Sequence, residues 1–229
     1  MMVHTSLPEL VLEAEKGKKQ GHLHYVETCP HYLYFSEDSL REKGVWVRCA
    51  PTLRDKARVR KMWKMLDKGY VDTIASDHVP SPRDVMQKAQ AEQNFFQAGG
   101  GLPNIEHLVN SLMNGVNEGW ANLFSVVSAM AEKPAKLYGL YPKKGVIQVG
   151  SDADLVAIDM HKVTKISSES LVTKAGWSSF EGMSFKGSPV LTLVRGEVVA
   201  QDGKLMGKAG YGEFVPRLDS RHTQGKENV

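Results

Sequence analysis

The residues of this sequence best suited to chemistry are an acid and a histidine, Asp77 and His78, in the run Asp72-Thr-Ile-Ala-Ser-Asp-His-Val-Pro80. Val71 to Ser76 is too short an apolar run for a helix and reads as a strand. Pro80 and Pro82 stop that strand from continuing. The acid and the histidine therefore sit where a buried strand opens into a loop, which in an α/β barrel is where catalytic groups collect. Two further histidines lie at comparable points, His4 after Met1-Met-Val and His31 after the segment from His22 to Thr28. Imidazole and carboxylate are ordinary ligands of zinc-type metals. A carboxylate beside a metal-bound water is also suited to general base chemistry.

Several elements must position these groups. Ser6-Leu-Pro-Glu9 has the spacing of a capping box, with proline in the first turn. Leu7, Leu10, Val11 and Ala14 then repeat as one helical face, and Lys16, Lys18, Lys19 and Gly21 predict its end. His22 to Thr28 reads as the next strand, so His22 and His24 are ordinary strand residues. Val45 to Pro51 reads as extended. Val59, Met62, Trp63 and Leu66 mark a second amphipathic helix, whose basic face from Arg54 to Lys68 reads as solvated. The strand carrying Asp77 follows. Strand end, helix, strand, helix, strand implies parallel βα units.

Beyond Pro82 the chain reads as a polar loop up to Gly99-Gly-Gly-Leu-Pro103. No Gly-Lys-Ser/Thr follows the glycines, so a flexible active-site loop is favoured over a phosphate loop. Helical faces recur at Ile105 to Leu112 and at Leu123 to Met130, and Pro134 opens a new turn before Ala135 to Leu140. Residues 143–216 are β-rich, with a hairpin signal at Asp202-Gly203. Asp152 and Asp154 read as a turn before a strand. The tail 217–229 is polar and without period, hence expected to be disordered.

Composition excludes several classes. The chain of 229 residues is 41% hydrophobic and 24% charged, with a formal net charge of +3. That small charge speaks against a nucleic-acid partner. Cys29 and Cys49 form no CxxC pair and read as small buried fillers in a reducing, cytoplasmic setting. No apolar run approaches the roughly 20 residues of a membrane span, and no secretion signal is visible at the start.

Seven segments occur in one order: His4-Thr-Ser, Glu27-Thr-Cys-Pro-His-Tyr-Leu33, Cys49-Ala-Pro-Thr-Leu-Arg54, Ile74-Ala-Ser-Asp-His-Val-Pro80, Glu132-Lys-Pro-Ala-Lys-Leu-Tyr-Gly-Leu140, Gly150-Ser-Asp-Ala-Asp-Leu-Val156 and Phe180-Glu-Gly. Together they resemble the C-terminal half of the cyclic amidohydrolases: allantoinase, hydantoinase (dihydropyrimidinase) and dihydroorotase. Cys-Ala-Pro-x-x-Arg looks closer to allantoinase than to dihydroorotase.

The resemblance implies an α/β fold: a partial TIM-type (β/α) barrel over residues 1–142, followed by a small β-rich sandwich subdomain over 143–216. It implies one or two Zn²⁺ ions, with His4 matching the histidine of strand six and Asp77 the aspartate of strand eight. By the same resemblance Asp77 is the catalytic base, and His4 and Asp77 are the metal ligands. His31, Arg54, His78, Gly100, Leu102 and Pro103 are expected to bind substrate or support the ligands. For Arg54, capping its helix and reaching an anionic ureide stay equally open. The family's His-x-His, carboxylated lysine and strand-five histidine have no counterpart here, and His22-Leu-His24 sits at the wrong end of its segment.

The implied activity is metal-dependent hydrolysis of a cyclic amide or ureide C–N bond by a truncated C-terminal half, as a homo-oligomer away from membranes. The alternative is a catalytically inactive homologue that serves as a scaffold or oligomer subunit.

Overall fold

The structure, a computed structural model, describes residues 1–217; the expected disordered tail from 218 onward lies outside the described residues. Its organising feature is a small parallel sheet. β1 (Glu27–Thr28) pairs in parallel with β2 (Thr73–Ile74), Glu27 against Thr73 and Thr28 against Ile74. Met2 bridges in parallel to Val26, so three chain segments run side by side. All three continue past the sheet on the same side, into His4, His31 and Asp77. The regular strands are shorter than the sequence predicts. Residues 22–25 form a loop with His24 folded against Gly17, and no closed barrel is formed among the described residues.

Helices cover this sheet. α1 (Pro8–Lys19) and α4 (Lys56–Asp67) carry the predicted apolar faces. Val11, Ala14, Val26, Met62, Leu66, Val71 and Leu112 fuse into one buried cluster. Burial of such side chains is worth roughly 1.5–3 kcal/mol each and dominates the stability of this layer. Asp55 caps α4, accepting from the Arg58 amide at 2.9 Å. The expected capping box at Ser6 does not form. Ser6 Oγ instead accepts from Arg54 Nε at 3.0 Å, so a long-range partner takes the hydroxyl that local spacing assigned to the helix.

Asp72 joins the opposite end of the sheet to the helices. Its carboxylate accepts from the Val26 amide at 2.8 Å and from Lys18 Nζ at 2.8 and 3.1 Å. Lys133 Nζ donates to the carbonyls of Gly69 and Val71 beside it.

Two expectations are corrected by helical structure. Val45 to Val47 is not extended: Gly44–Val47 is a 3₁₀ turn following α2 (Pro30–Tyr34) and α3 (Glu37–Lys43), and it buries Val45 and Val47. The polar stretch after Pro82 is α5 (Arg83–Ala91), which buries only Met86 and Ala89. So narrow an apolar stripe falls below what periodicity reveals. α5 packs with Val45, Leu102 and Trp177 in a separate cluster.

α6 (Leu108–Asn117) leads through α7 (Leu123–Val127), a π turn at Ser128–Glu132 and α8 (Lys133–Leu137) to a four-stranded antiparallel sheet. Its order is β3 (Leu155–Lys165), β4 (Ser184–Val194), β5 (Glu197–Gln201) and β6 (Lys204–Leu205). Residues 146–154, read as β-rich, are turns in which Lys143 and Lys144 pair with Asp152. The predicted Asp202-Gly203 hairpin is present, with both residues at positive φ.

α6 docks on β4 through asparagines. Asn110 Nδ2 donates to Ser188 Oγ at 3.0 Å and Asn114 Oδ1 accepts from the Lys186 amide at 2.9 Å. Gly187, at φ 104°, permits that approach, because a Cβ there would lie 2.6 Å from the Cβ of Met113. No helix among the described residues is long and apolar enough to cross a membrane.

Candidate active site

The ends of the three parallel segments converge. The Thr5 amide donates to the Glu27 carbonyl, Thr28 Oγ1 to the Thr5 carbonyl and the Ala75 amide to the Thr28 carbonyl, at 2.8, 2.8 and 3.0 Å. These bonds hold the turns after each segment at one level, where the chain presents His4, the Cys29–His31 corner and Asp77. His4 and Asp77 both have left-handed backbone conformations, φ 40° and 46°. Such conformations cost a non-glycine residue free energy and cluster where surrounding structure re-aims a functional side chain.

His31 is fully buried, and its Nε2 lies 4.0 Å from Oδ2 of Asp77, whose side chain is 31% exposed. Burial, with a smaller contribution from His4, pushes the His31 pKa down to about 3, so the imidazole is neutral at physiological pH. His31 Nε2 and His4 Nδ1 are both buried without a hydrogen-bond partner. Ligand atoms of Cys29, His31 and Asp77 lie within 4.8 Å of one another. The Cys29 thiol is pushed well above its ordinary range by burial and the nearby Asp77 carboxylate, which keeps it protonated.

The remaining candidates fall into place around this core. His78 bridges in parallel to Leu102, and its Nδ1 accepts from the Ile105 amide at 3.3 Å. The glycine-rich loop thus lies against the Asp77 strand end, and at Gly101 a Cβ would run into Val79. Leu102 is buried with Val45, Met86 and Trp177, and its carbonyl accepts from Val79, so neither group faces the site freely. Gly100 and Pro103 flank it in the same loop. Arg54 does not cap α4; it is bound to Ser6 Oγ. A cleft of about 480 Å³ opens beside His78, lined by Pro80, Ile105, Val172 and Lys174 among others, large enough for a small heterocycle.

Two residues not singled out from sequence complete the arrangement. Asn104 Nδ2 lies 2.8 Å from His31 Nδ1 and 3.3 Å from the Ser76 carbonyl, and Ser179 Oγ lies 3.3 Å from Asn104 Oδ1. A buried asparagine following Leu-Pro carries no spacing signal. Only its place beside His31 marks it.

A buried imidazole nitrogen on His4 has no hydrogen-bond partner among the described residues, and the Asp77 carboxylate stands at a neighbouring strand end. Functional side chains at the C-terminal ends of parallel strands define an α/β enzyme site. The Amidohydrolase family matches residues 1–199. The chain is 38% identical over 218 residues to an L-hydantoinase of Paenarthrobacter aurescens, covering 95% of this chain and 47% of that protein. It is 33% identical over 207 residues to an allantoinase of Deinococcus radiodurans, covering 90% and 45%. Its structure superposes on the L-hydantoinase (dihydropyrimidinase) of Arthrobacter aurescens with a TM-score of 0.90 at 36% identity, covering 94% of this chain and 48% of that one. The chain belongs to the amidohydrolase family and spans about half the length of the curated relatives it matches.

Proposed function

We propose that this chain carries the C-terminal part of a metal-dependent cyclic amidohydrolase that opens a hydantoin-, dihydropyrimidine- or allantoin-type ring at an amide C–N bond. In this reading residues 1–142 are the closing units of a (β/α) barrel and 143–216 belong to a β-sandwich. The observation that carries it is the convergence of His4, His31 and Asp77 at three parallel strand ends, with His31 Nε2 4.0 Å from Asp77. The relatives' names, hydantoinase and allantoinase, supply the substrate class.

His4 and Asp77 would hold a Zn²⁺ ion, and further ligands would come from outside this chain, since a catalytic zinc usually has three protein ligands. When bound, the ion polarises the ring carbonyl and lowers the pKa of water toward neutrality. Asp77 takes the proton of the attacking water as its oxygen bonds to the carbonyl carbon. It then returns that proton to the ring nitrogen as the C–N bond breaks, leaving an N–H on the freed nitrogen and an open-chain carboxylic acid, which loses its remaining proton to water at neutral pH. His31, neutral and buried, stands behind Asp77. His78 borders the cleft that would receive the ring, and the loop Gly100–Pro103 reaches it through the bridge between Leu102 and His78.

The test is hydrolysis of hydantoin and allantoin by the zinc-supplemented protein, with Asp77→Asn alongside. Loss of roughly 10²–10⁴-fold in turnover supports the reading. Equal turnover by the variant overturns it. The second reading, a non-catalytic homologue acting as a scaffold or oligomer subunit, is favoured by the ligand count, two where three are usual. No retained zinc and no turnover would mean that His4 and Asp77 belong to a site whose other ligands lie outside this chain; the scaffold reading is selected when turnover stays absent after those ligands are supplied by a longer chain. The homo-oligomeric state and the absence of nucleic-acid partners belong to the same proposal, as does a cytoplasmic location.

A further inference from the structure

Among the described residues, Asn104 is the one side chain hydrogen-bonded to the His31 ring. Its amide faces three groups, and one of them can only accept. The Ser76 carbonyl oxygen lies 3.3 Å from one terminal atom of Asn104, so that atom must be the nitrogen, Nδ2. The opposite orientation would set two oxygens against each other in a buried site. It would also change the relation to Ser179, whose hydroxyl donates to Asn104 Oδ1 at 3.3 Å. With Nδ2 so placed, its second hydrogen points at His31 Nδ1, 2.8 Å away. Nδ1 therefore accepts. In a neutral imidazole one nitrogen accepts and the other carries the proton. His31 carries it on Nε2.

That N–H has no other partner. Nε2 is buried and unbonded, and the nearest charged group is the carboxylate of Asp77, 4.0 Å away.

We propose that Asn104 is a positioning residue. Anchored by the Ser76 carbonyl and by Ser179, it locks His31 in the Nε2–H tautomer and so aims an N–H donor at Asp77. Two consequences follow from the tautomer. His31 presents its Nε2–H toward the Asp77 carboxylate, 4.0 Å away. It also has no Nε2 lone pair, so the Cys29–His31–Asp77 grouping does not ligate a cation through that nitrogen. The role for Asp77 rests on the hydrolase reading above; the tautomer does not.

The experiment is long-range ¹H–¹⁵N correlation spectroscopy of the full chain with labelled histidine at neutral pH. The His31 signals are assigned by their loss in His31→Gln. The parent protein is expected to show His31 protonated at Nε2 alone. In Asn104→Asp a carboxylate replaces the amide and can only accept, so the proton is expected to move to Nδ1. Should that variant not fold, Asn104→Ala removes the amide altogether, and a mixture of tautomers is expected. A parent spectrum with the proton on Nδ1, or with both forms populated, overturns the proposal. So does an unmixed Nε2–H form in either variant. Because the tautomer is read without turnover, this result stands or falls separately from the Asp77→Asn assay.

Discussion

His31 and Asp77 are 46 residues apart in the chain, yet Nε2 of one lies 4.0 Å from Oδ2 of the other, at the ends of two adjacent parallel strands. A group that orients a catalytic carboxylate typically supports activity by about 10–100-fold. On the proposed hydrolase reading, His31→Gln is therefore expected to lower kcat/KM for hydantoin by about that factor, measured under zinc saturation beside the parent. An unchanged kcat/KM would leave His31 with packing alone.

The burial of His31 also predicts an acid limit. Its pKa is depressed to about 3 in the folded chain, against an ordinary value near 6.5, by burial first and by His4 second. Between those pH values the unfolded chain binds a proton that the folded chain does not. Stability is thus complete above about pH 6.5 and declines as pH falls, by up to about 1.4 kcal/mol per unit. Buried His107, lowered by burial too, adds in the same direction. Urea titrations from pH 7 to 5 should show this slope, and it should be shallower in His31→Gln.

Asp72 is expected to matter for stability alone. Replacing it by Ala strips the Val26 amide and Lys18 of their shared partner. Removing one partner of such part-buried polar groups costs about 1–3 kcal/mol. A lowered urea midpoint with unchanged slope is the expected result, and a midpoint within error of the parent would contradict it.

Gly115→Ala should destabilise, although alanine is normally the better helix former by about 1 kcal/mol. A Cβ at residue 115 of α6 would strike the ring of Trp63. That ring is buried and donates through Nε1 to the Leu33 carbonyl at 2.6 Å, so it cannot step aside. Overpacking of this kind costs about 1–3 kcal/mol. Thermal melts give the sign.

Both cysteines should resist alkylation in the native protein. Cys29 is wholly buried, and burial pushes the Cys49 thiol up to about 12. Thiolate is the reactive form. Rapid labelling is expected only after unfolding in denaturant.

What the sequence alone determined is what local pattern encodes. The faces of α1 and α4, the turn at Asp202-Gly203 and the end of the strand before Asp77 depend on residues within one or two turns of each other. The order of short motifs pointed to the family for a related reason: several of them, His4-Thr-Ser and Ile74–Pro80 among them, are strand ends or turns read from adjacent residues. Local pattern misled where a distant partner was stronger. Ser6 left its helix for Arg54, and α5 hid behind a stripe of two buried residues. The parallel strands β1 and β2 shrank to two residues each, since strand length is set by what lies alongside.

Only the tertiary structure brought His31 to Asp77, and only it made Asn104 part of the site. Those relations depend on which strands are neighbours and on which carbonyl an amide must face. Parallel neighbours are joined by long crossovers, so no spacing along the chain records them.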